Sequence, residues 1–473
     1  MTVTTFSRSL VISVGILLLS SISSPAQQTI SAKIDKFINT EMRLQRIPGL
    51  SLAVLKNGHI LLIKGYGFAN IEHQVPVKPE TVFQSGSIGK QFTATAVMML
   101  VEEGKLSLGD KITRYFPDAP ESWKDVTVHH LLTHTSGLGD YAPDFDVRRD
   151  YTEDELLAHI KKVPLNYRTG EDWDYSNLNY VLLGILIHKV TGKFYGDYLA
   201  ERVFRPLGMT ASRVISESDI VRNRASGYRL VTNELKNQEW VSATVNTTAD
   251  GSLYLTAQDM TKWDAALYSD KLLKQSTLAQ MWAPVKLSNG PTKGYGFGWH
   301  TEMAHGHRII FHGGAWQGFK SFIVRFPEEK LTIVFFANLW QTNEFRVARG
   351  LTSIFYPAFR LPAMKPIEDK ELQVTGLVRN VLRQLAQGTA DPKLFTPEMQ
   401  TDYFPQMARQ ITASLNILSL PVAIISSLEL IERKNENELR VFRYVLTDVG
   451  RTLFCTIRLT TDNKIAGLQV STE

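Results

Sequence analysis

The first residues that could carry chemistry are a serine and a lysine in the stretch TVFQSGSIGKQF, which begins at Thr81. Ser87 and Lys90 stand three residues apart where an apolar pattern with helical spacing begins, so their side chains share one face. The N–H groups at a helix N-terminus can stabilise an oxyanion, and a buried lysine can accept the serine proton. The pair therefore predicts acyl transfer with Ser87 as the nucleophile. The alternative is a serine that caps the helix beside a surface lysine.

A second candidate group is the triplet Tyr175-Ser176-Asn177, which lies between the polar loop RTGEDWD and an apolar helical pattern from Tyr180. A phenol beside an ammonium group can shuttle a proton. An amide such as that of Asn177 can orient a lysine and bind a substrate carbonyl. The alternative is a loop tyrosine followed by a capping asparagine.

The third candidate group is the stretch FHGGAWQGF, between two strand patterns. Gly313 and Gly314 allow the backbone to approach a ligand closely. The N–H group of Ala315 could then donate to an oxyanion, and His312 could bind an anionic substrate group or assist proton transfer. The alternative is a glycine-rich β-bulge.

The elements that must position these groups predict an α+β fold. Residues 50–66 form two apolar runs around Asn57-Gly58, which is typical of a hairpin with a two-residue turn. Residues 125–270 contain mostly helical patterns, and short strand patterns follow them up to the run LTIVFFANL. We therefore predict one antiparallel sheet, closed by strands far apart in the chain, flanked by helices and interrupted by a helical subdomain.

A length of 473 residues predicts more than one domain. A proline-containing linker at residues 357–366 separates a predicted catalytic domain, residues 27–360, from a small α+β domain, residues 367–473. The helices and alternating strands of this second domain resemble the cone-shaped fold of nuclear-transport-factor type. We interpret it as an accessory domain in which Cys455 fills a buried strand position.

The N-terminus predicts export. Residues 1–26 combine Arg8, a short apolar run and the small residues around Ala26, which is typical of a signal peptide, and the run is too short to span a bilayer. A single cysteine leaves no internal disulfide. We expect a secreted or periplasmic protein with no membrane insertion after cleavage.

Composition and motifs narrow the function classes further. The net charge is +5 without any Lys/Arg block, which argues against nucleic acid as a partner. His129, His130 and His134 form one histidine group, and His305, His307 and His312 form another, but neither has the spacing of a metal site. We predict no metal and no cofactor, and the stretch THTSGL is expected to shape a loop beneath the site.

The ordered set of Ser-x-x-Lys, Tyr-x-Asn and a basic residue followed by x-Gly resembles the signatures of penicillin-recognising serine hydrolases. It is similar to the class C β-lactamase group, which includes D-alanyl-D-alanine carboxypeptidases, D-aminopeptidases and esterases. The stretches IPGLSLAVLKNGHILLIKGYGFAN, LLTHTSGL and HGGAWQGF also look like those of this family. The resemblance covers residues 30–350 and implies a β-lactamase/transpeptidase-like fold.

The resemblance also implies roles for the residues singled out. Ser87 would be acylated, Lys90 would act as its base and Tyr175 would relay the proton. Asn177 would hold Lys90 and the substrate, while the N–H groups of Ser87 and Ala315 would form the oxyanion hole.

A histidine at position 312 replaces the lysine of many β-lactamases, which favours D-amino-acid peptides, esters or amides as substrates of an exported serine hydrolase. A β-lactamase, a non-catalytic penicillin-binding or sensing module, and a C-terminal domain that acts by partner binding remain alternatives.

Overall fold

The computed structural model describes residues 25–142, 145–232, 234–360, 366–400, 428–436, 438–448 and 451–471. Residues 1–24 of the predicted signal peptide lie outside these ranges. So do the predicted helical patterns between residues 401 and 417. Within the ranges described, no helix combines the length and apolar character that a membrane crossing needs.

The first part contains α1 (Pro25–Gln45), β1 (Gly49–Lys56), β2 (His59–Asn70), β3 (Val75–Pro76) and β4 (Phe83–Gln84). The helical region contains α2 (Lys90–Glu102), α3 (Val128–Thr133), α4 (Glu153–Ile160), α5 (Asn177–Thr191), α6 (Tyr195–Leu199), α7 (Arg205–Leu207), β5 (Arg213–Val214), β6 (Tyr228–Val231), β7 (Glu234–Asn237), β8 (Leu253–Leu255), α8 (Ala257–Ala266) and α9 (Gln275–Met281).

The late part of the first region contains β9 (Val285–Lys286), β10 (Thr292–Lys293), β11 (His300–Ala304), β12 (His307–Trp316), β13 (Phe319–Phe326), β14 (Leu331–Ala337) and α10 (Glu344–Phe355). The C-terminal part contains α11 (Leu372–Gln387), β15 (Leu428–Glu436), β16 (Leu439–Asp448), β17 (Arg451–Leu459) and β18 (Ile465–Ser471).

The main sheet has seven strands in the order β11-β12-β13-β14-β1-β2-β3, and every neighbouring pair is antiparallel. The predicted hairpin is confirmed, because β1 and β2 pair on either side of Asn57-Gly58. The predicted closure by distant strands is confirmed as well, with Leu52 opposite Phe335 in the pairing of β1 and β14.

Helices cover both faces of this sheet, as the alternation of its side chains requires. Leu50, Leu52 and Val54 pack in a buried cluster with residues of α1 and α10. Ala53 and Leu55 point the other way and join the larger cluster formed with α2, α5 and α8. The helical region is thus packed against one face of the sheet, and the candidate site residues come from the boundary between the two.

The C-terminal part is a four-stranded antiparallel sheet, β15-β16-β17-β18, against which α11 packs. Its hydrophobic cluster contains none of the buried residues of the other two large clusters. Cys455 is fully buried in it, as its strand pattern predicted. The α+β fold class is confirmed, while the domain limits at 27–360 and 367–473 and the nuclear-transport-factor likeness remain predictions.

Candidate active site

Ser87 lies in a 3₁₀ turn, Gly86–Gly89, that runs directly into α2. Between Thr81 and Leu100 it is the only residue that is not buried. The N-cap positions of the turn and of α2 belong to Ser85 and Gly89, and neither makes a side-chain capping bond. The capping interpretation of Ser87 is therefore wrong, and its hydroxyl is left accessible on an otherwise buried segment.

Lys90 is fully buried, so the surface-lysine alternative is wrong too. Its ammonium nitrogen lies 3.1 Å from Ser87 Oγ and 2.8 Å from Asn177 Oδ1, and it donates to the carbonyl oxygen of Asp250 at 2.5 Å. An ammonium group has three hydrogens, and each has one of these neutral acceptors. Lys90 is therefore held in one position with its nitrogen directed at the serine hydroxyl.

Tyr175 borders the ammonium group of Lys90 through its ring, whose centroid lies 4.9 Å from Nζ. The ring also packs on the imidazole of His134, with centroids 4.4 Å apart. Its hydroxyl is buried and has no hydrogen-bond partner among the described residues. The structure thus places the Tyr175 ring beside Lys90, while its phenolic O–H bonds neither Lys90 nor Ser87, so the proton relay remains a prediction.

Asn177 stands at the first turn of α5 and is held by Asp140, a residue that the sequence motifs did not single out. Its amide nitrogen donates to Asp140 Oδ2 at 2.9 Å, and its backbone N–H donates to Asp140 Oδ1 at 3.1 Å. Because Asn177 Oδ1 accepts from Lys90, a continuous chain of hydrogen bonds connects Asp140, Asn177, Lys90 and Ser87.

Two glycines let β12 pack directly on the Ser87 turn. A Cβ atom at Gly314 would lie 2.1 Å from the carbonyl oxygen of Ser85, and one at Gly86 would lie 2.4 Å from the backbone nitrogen of Ala315. Gly86 also has φ of +54°, in the left-handed region that favours glycine. The backbone of Ala315 consequently lies against the residue that precedes Ser87.

His312 is buried, with 2% of its surface exposed. Its Nδ1 lies 2.6 Å from the carbonyl oxygen of Gly313, so this nitrogen carries the hydrogen, and its Nε2 accepts from the hydroxyl of Tyr295 at 3.1 Å. Desolvation, followed by the nearby His300 and Lys90, holds its pKa well below the usual value. A buried, neutral imidazole with both nitrogens bonded is a poor anion ligand, so the anion-binding interpretation is not supported.

His134, from the stretch THTSGL, lies beneath Tyr175. Its Nδ1 accepts from the backbone N–H of Ser176 at 3.3 Å and lies 3.2 Å from the amide nitrogen of Asn179. Complete burial, followed by the positive charge of Lys90, keeps its pKa well below the usual value. The neutral ring therefore supports the Tyr175 side chain without adding charge next to Lys90.

The remaining groups of the site come from single loop residues that no spacing pattern marks. Asp250 contributes a backbone carbonyl, and Gly251 packs so closely that a Cβ atom there would lie 2.9 Å from the nitrogen of Ser87. The short stretch ADGS was the only local signal for them. Across the described ranges, no three His, Cys, Asp or Glu side chains are grouped so that they could hold a metal ion.

Comparisons with known proteins identify the family to which this chain belongs. Penicillin-binding protein 4* of Bacillus subtilis strain 168 is 30% identical to this chain over 311 residues, which are 62% of this chain and 68% of that protein. Protein flp of Staphylococcus aureus strain N315 is 28% identical over 320 residues, 65% of this chain, but the match spans only 63% of its own length.

Among solved structures, a D-amino acid amidase from Ochrobactrum anthropi SV3, determined in complex with D-phenylalanine, superposes with a TM-score of 0.60. It is 25% identical, and the match covers 70% of this chain and 98% of that one. A model of the family described as Beta-lactamase matches residues 34–352, a range that holds the whole constellation from Ser87 to Ala315. The chain therefore belongs to the Beta-lactamase family.

Proposed function

We propose that the protein is an exported serine hydrolase that cleaves amide, peptide or ester carbonyls through an acyl-enzyme, with D-amino-acid amides and peptides as its main substrates. The observation that carries the proposal is the 3.1 Å contact between Ser87 Oγ and the nitrogen of the fully buried Lys90. A nucleophile within hydrogen-bond reach of an oriented base is the arrangement that serine acyl transfer needs. Family membership and the likeness to a D-amino acid amidase support the same reaction.

The mechanism that we propose assigns one step to each group of the site. Lys90, in its neutral form, accepts the hydroxyl proton while Ser87 Oγ adds to the substrate carbonyl carbon. The oxyanion that forms receives hydrogen bonds from the backbone N–H groups of Ser87 and Ala315. The tetrahedral intermediate then collapses: the bond to the leaving group breaks, and that group takes a proton delivered from Lys90 through the hydroxyl of Tyr175. Water adds to the resulting ester, and release of the acid restores Ser87.

The site also supports the preference for amides and esters over β-lactams. The position that carries this preference is residue 312, where a lysine would present a cation to a substrate carboxylate. His312 is instead buried and neutral. Export rests on the predicted signal peptide, residues 1–26, together with the bacterial relatives.

The experiment is active-site labelling with a fluorophosphonate probe, followed by a substrate screen. Wild-type protein should be labelled, and Ser87→Ala should not. Ser218→Ala is the matched control, because it removes a hydroxyl from a more exposed serine and should leave labelling unchanged. Equal labelling of wild type and Ser87→Ala would refute the nucleophile assignment.

The substrate screen uses D-amino-acid amides, D-Ala-D-Ala peptides, p-nitrophenyl esters and a chromogenic cephalosporin. Turnover of amides or esters that is lost in Ser87→Ala supports the proposal. Rapid turnover of the cephalosporin alone would indicate a β-lactamase. Lasting acylation by a labelled penicillin without turnover of any substrate would indicate a penicillin-binding sensor.

A further inference from the structure

An exposed carboxylate belongs to the hydrogen-bond chain of the site. Asp140 lies in the loop after α3, and its side chain reaches solvent. Its carboxylate accepts from the N–H of Tyr141 at 3.0 Å and from two donors of Asn177. A carboxylate has about four lone-pair positions, so these three donors leave Asp140 able to accept from a further, external donor.

The position of Asp140 relative to the nucleophile defines what that donor could be. Asn177 bonds Asp140 on one side and Lys90 on the other, and Lys90 bonds Ser87. In an α-amino amide the amino nitrogen is about 2.5 Å from the carbonyl carbon, because a single carbon separates them. A carbonyl carbon within about 3–3.5 Å of Ser87 Oγ therefore keeps its α-amino group within about 6 Å of that oxygen. Asn177 and Asp140 follow Lys90 in the hydrogen-bond chain that starts at Ser87.

The charges of the site favour a cationic rather than an anionic substrate group beside Asp140. Lys90 is fully buried, and its three hydrogens already have acceptors. The imidazoles of His134 and His312 are buried and neutral. Among the site residues described above, Asp140 is thus the exposed charged group, and its sign is negative.

The surroundings of Asp140 make a cationic partner more favourable still. Desolvation raises the pKa of its carboxyl above the usual value, although the N–H of Tyr141 and the charge of Lys90 act in the opposite direction. A carboxylate that has lost part of its hydration gains more from a charged donor than a fully hydrated one does.

We propose that Asp140 binds the α-ammonium group of the substrate, so that the site selects amides and peptides with a free N-terminal amine over their N-acylated counterparts. The inference rests on the proposed hydrolase function and assigns its substrate class. Asp140 also positions Asn177, so any test must separate recognition of the ammonium group from that positioning effect.

The test compares two substrates that differ only at the amine: D-alanine p-nitroanilide and N-acetyl-D-alanine p-nitroanilide. Wild-type enzyme should prefer the free amine. Asp140→Asn should lower kcat/KM for the free amine between about 10-fold and 100-fold more than for the acetyl compound, as expected for a hydrogen bond between charged groups. Asp140→Glu keeps the charge and should retain part of the preference. Asp146→Asn removes an exposed carboxylate from the same loop and should retain all of it.

The pH dependence of the preference for the free amine gives a second measurement, which would not change if Asp140 only positioned Asn177. The wild-type preference should decline as pH rises through the pKa of the substrate amine, near 8 for an α-amino group. In Asp140→Asn this decline should be absent. The acetyl compound reports, in both proteins, the pH dependence of the catalytic groups alone.

The outcomes separate the inference from the function on which it rests. If Asp140→Asn slows both substrates by the same factor, Asp140 acts only through Asn177, and the ammonium assignment is wrong while the hydrolase proposal stands. If wild type hydrolyses the two p-nitroanilides no faster than Ser87→Ala does, and no fluorophosphonate labels Ser87, then the proposed function and the inference fall together.

Discussion

Replacing Gly314 with alanine would place a methyl group in the narrow contact between β12 and the turn that carries Ser87. An ideal Cβ atom at this position lies 2.1 Å from the carbonyl oxygen of Ser85 and 2.2 Å from Ser321 Oγ. Ordinary van der Waals contact begins near 3.4 Å, so strand and turn would have to separate by about 1 Å.

The cost of separating β12 from the turn depends on the groups that each of them carries. The Ser321 hydroxyl donates to the Ser85 carbonyl oxygen, so the two groups in the way are bonded to each other. Ala315, the next residue of β12, would move with the strand away from the Ser87 turn, and its proposed donation to the oxyanion would weaken. A displacement of about 1 Å in a catalytic group costs on the order of 10²-fold in rate, or about 2.7 kcal/mol in the activation barrier. Overpacking should also lower the free energy of unfolding by about 1–3 kcal/mol.

The matched control is Gly313→Ala, the same substitution one residue earlier in the same strand. A Cβ atom there comes no closer than 3.4 Å to its nearest neighbour, a ring atom of Phe322. The assay is the second-order rate of labelling by a fluorophosphonate, measured below the melting temperature of each variant. We expect Gly314→Ala to be slower than wild type by about 10²-fold. Gly313→Ala should stay within a few-fold of wild type.

Equal labelling rates in the two folded variants would refute the reasoning. They would mean either that β12 moves without carrying the Ala315 N–H away from Ser87, or that this N–H does not stabilise the oxyanion. A slow Gly314→Ala variant with a nearly unchanged melting temperature would instead place the whole effect at the site.

Three further predictions concern buried groups. Lys90→Met should lower kcat by at least about 10²-fold. It should also raise the midpoint of urea unfolding, because it removes a buried ammonium group that bonds only neutral acceptors. A lower midpoint would contradict this. The free energy of unfolding should fall as pH drops from about 6.5 towards 4. Burial lowers the pKa of His300 to about 4 and that of His312 well below its usual value, whereas histidines in the unfolded chain bind protons near pH 6.5. The unfolded chain therefore binds more protons than the folded one in this interval. His300→Phe should flatten the melting temperature against pH in that interval, and an unchanged slope would exclude this cause. Burial raises the pKa of the Cys455 thiol to about 12, so iodoacetamide at pH 8 should modify it only in denaturant, as mass spectrometry would show.

Much of the architecture was predictable because it depends on local patterns. The turn at Asn57-Gly58, and strand patterns on both sides of the helical region, predicted an antiparallel sheet closed across the chain, and both features are present. The predicted start of α2 was less accurate. The spacing of Ile88 and Phe92 fits a 3₁₀ turn followed by a helix as well as it fits one continuous helix, so the pattern did not distinguish them.

The candidate site was predictable where its residues come in motifs. Ser87, Lys90 and Asn177 meet at hydrogen-bond distance. Asp140 and Asp250 were missed because each is a single residue from a loop, and no spacing relates them to the rest. Only the folded chain brings such residues within reach of one another.

The amino-acid sequence by itself determined the strand and helix pattern and the set of reactive side chains, since these follow from periodicity and residue chemistry. Only the tertiary structure decided the burial, protonation and hydrogen bonding of those side chains. Lys90 is buried and fully hydrogen-bonded, burial holds the pKa of His312 well below its usual value, and Asp140 is left exposed with spare acceptor capacity. Burial and hydrogen-bond partners depend on segments that lie far apart in the chain, and these states determine which charges the site presents.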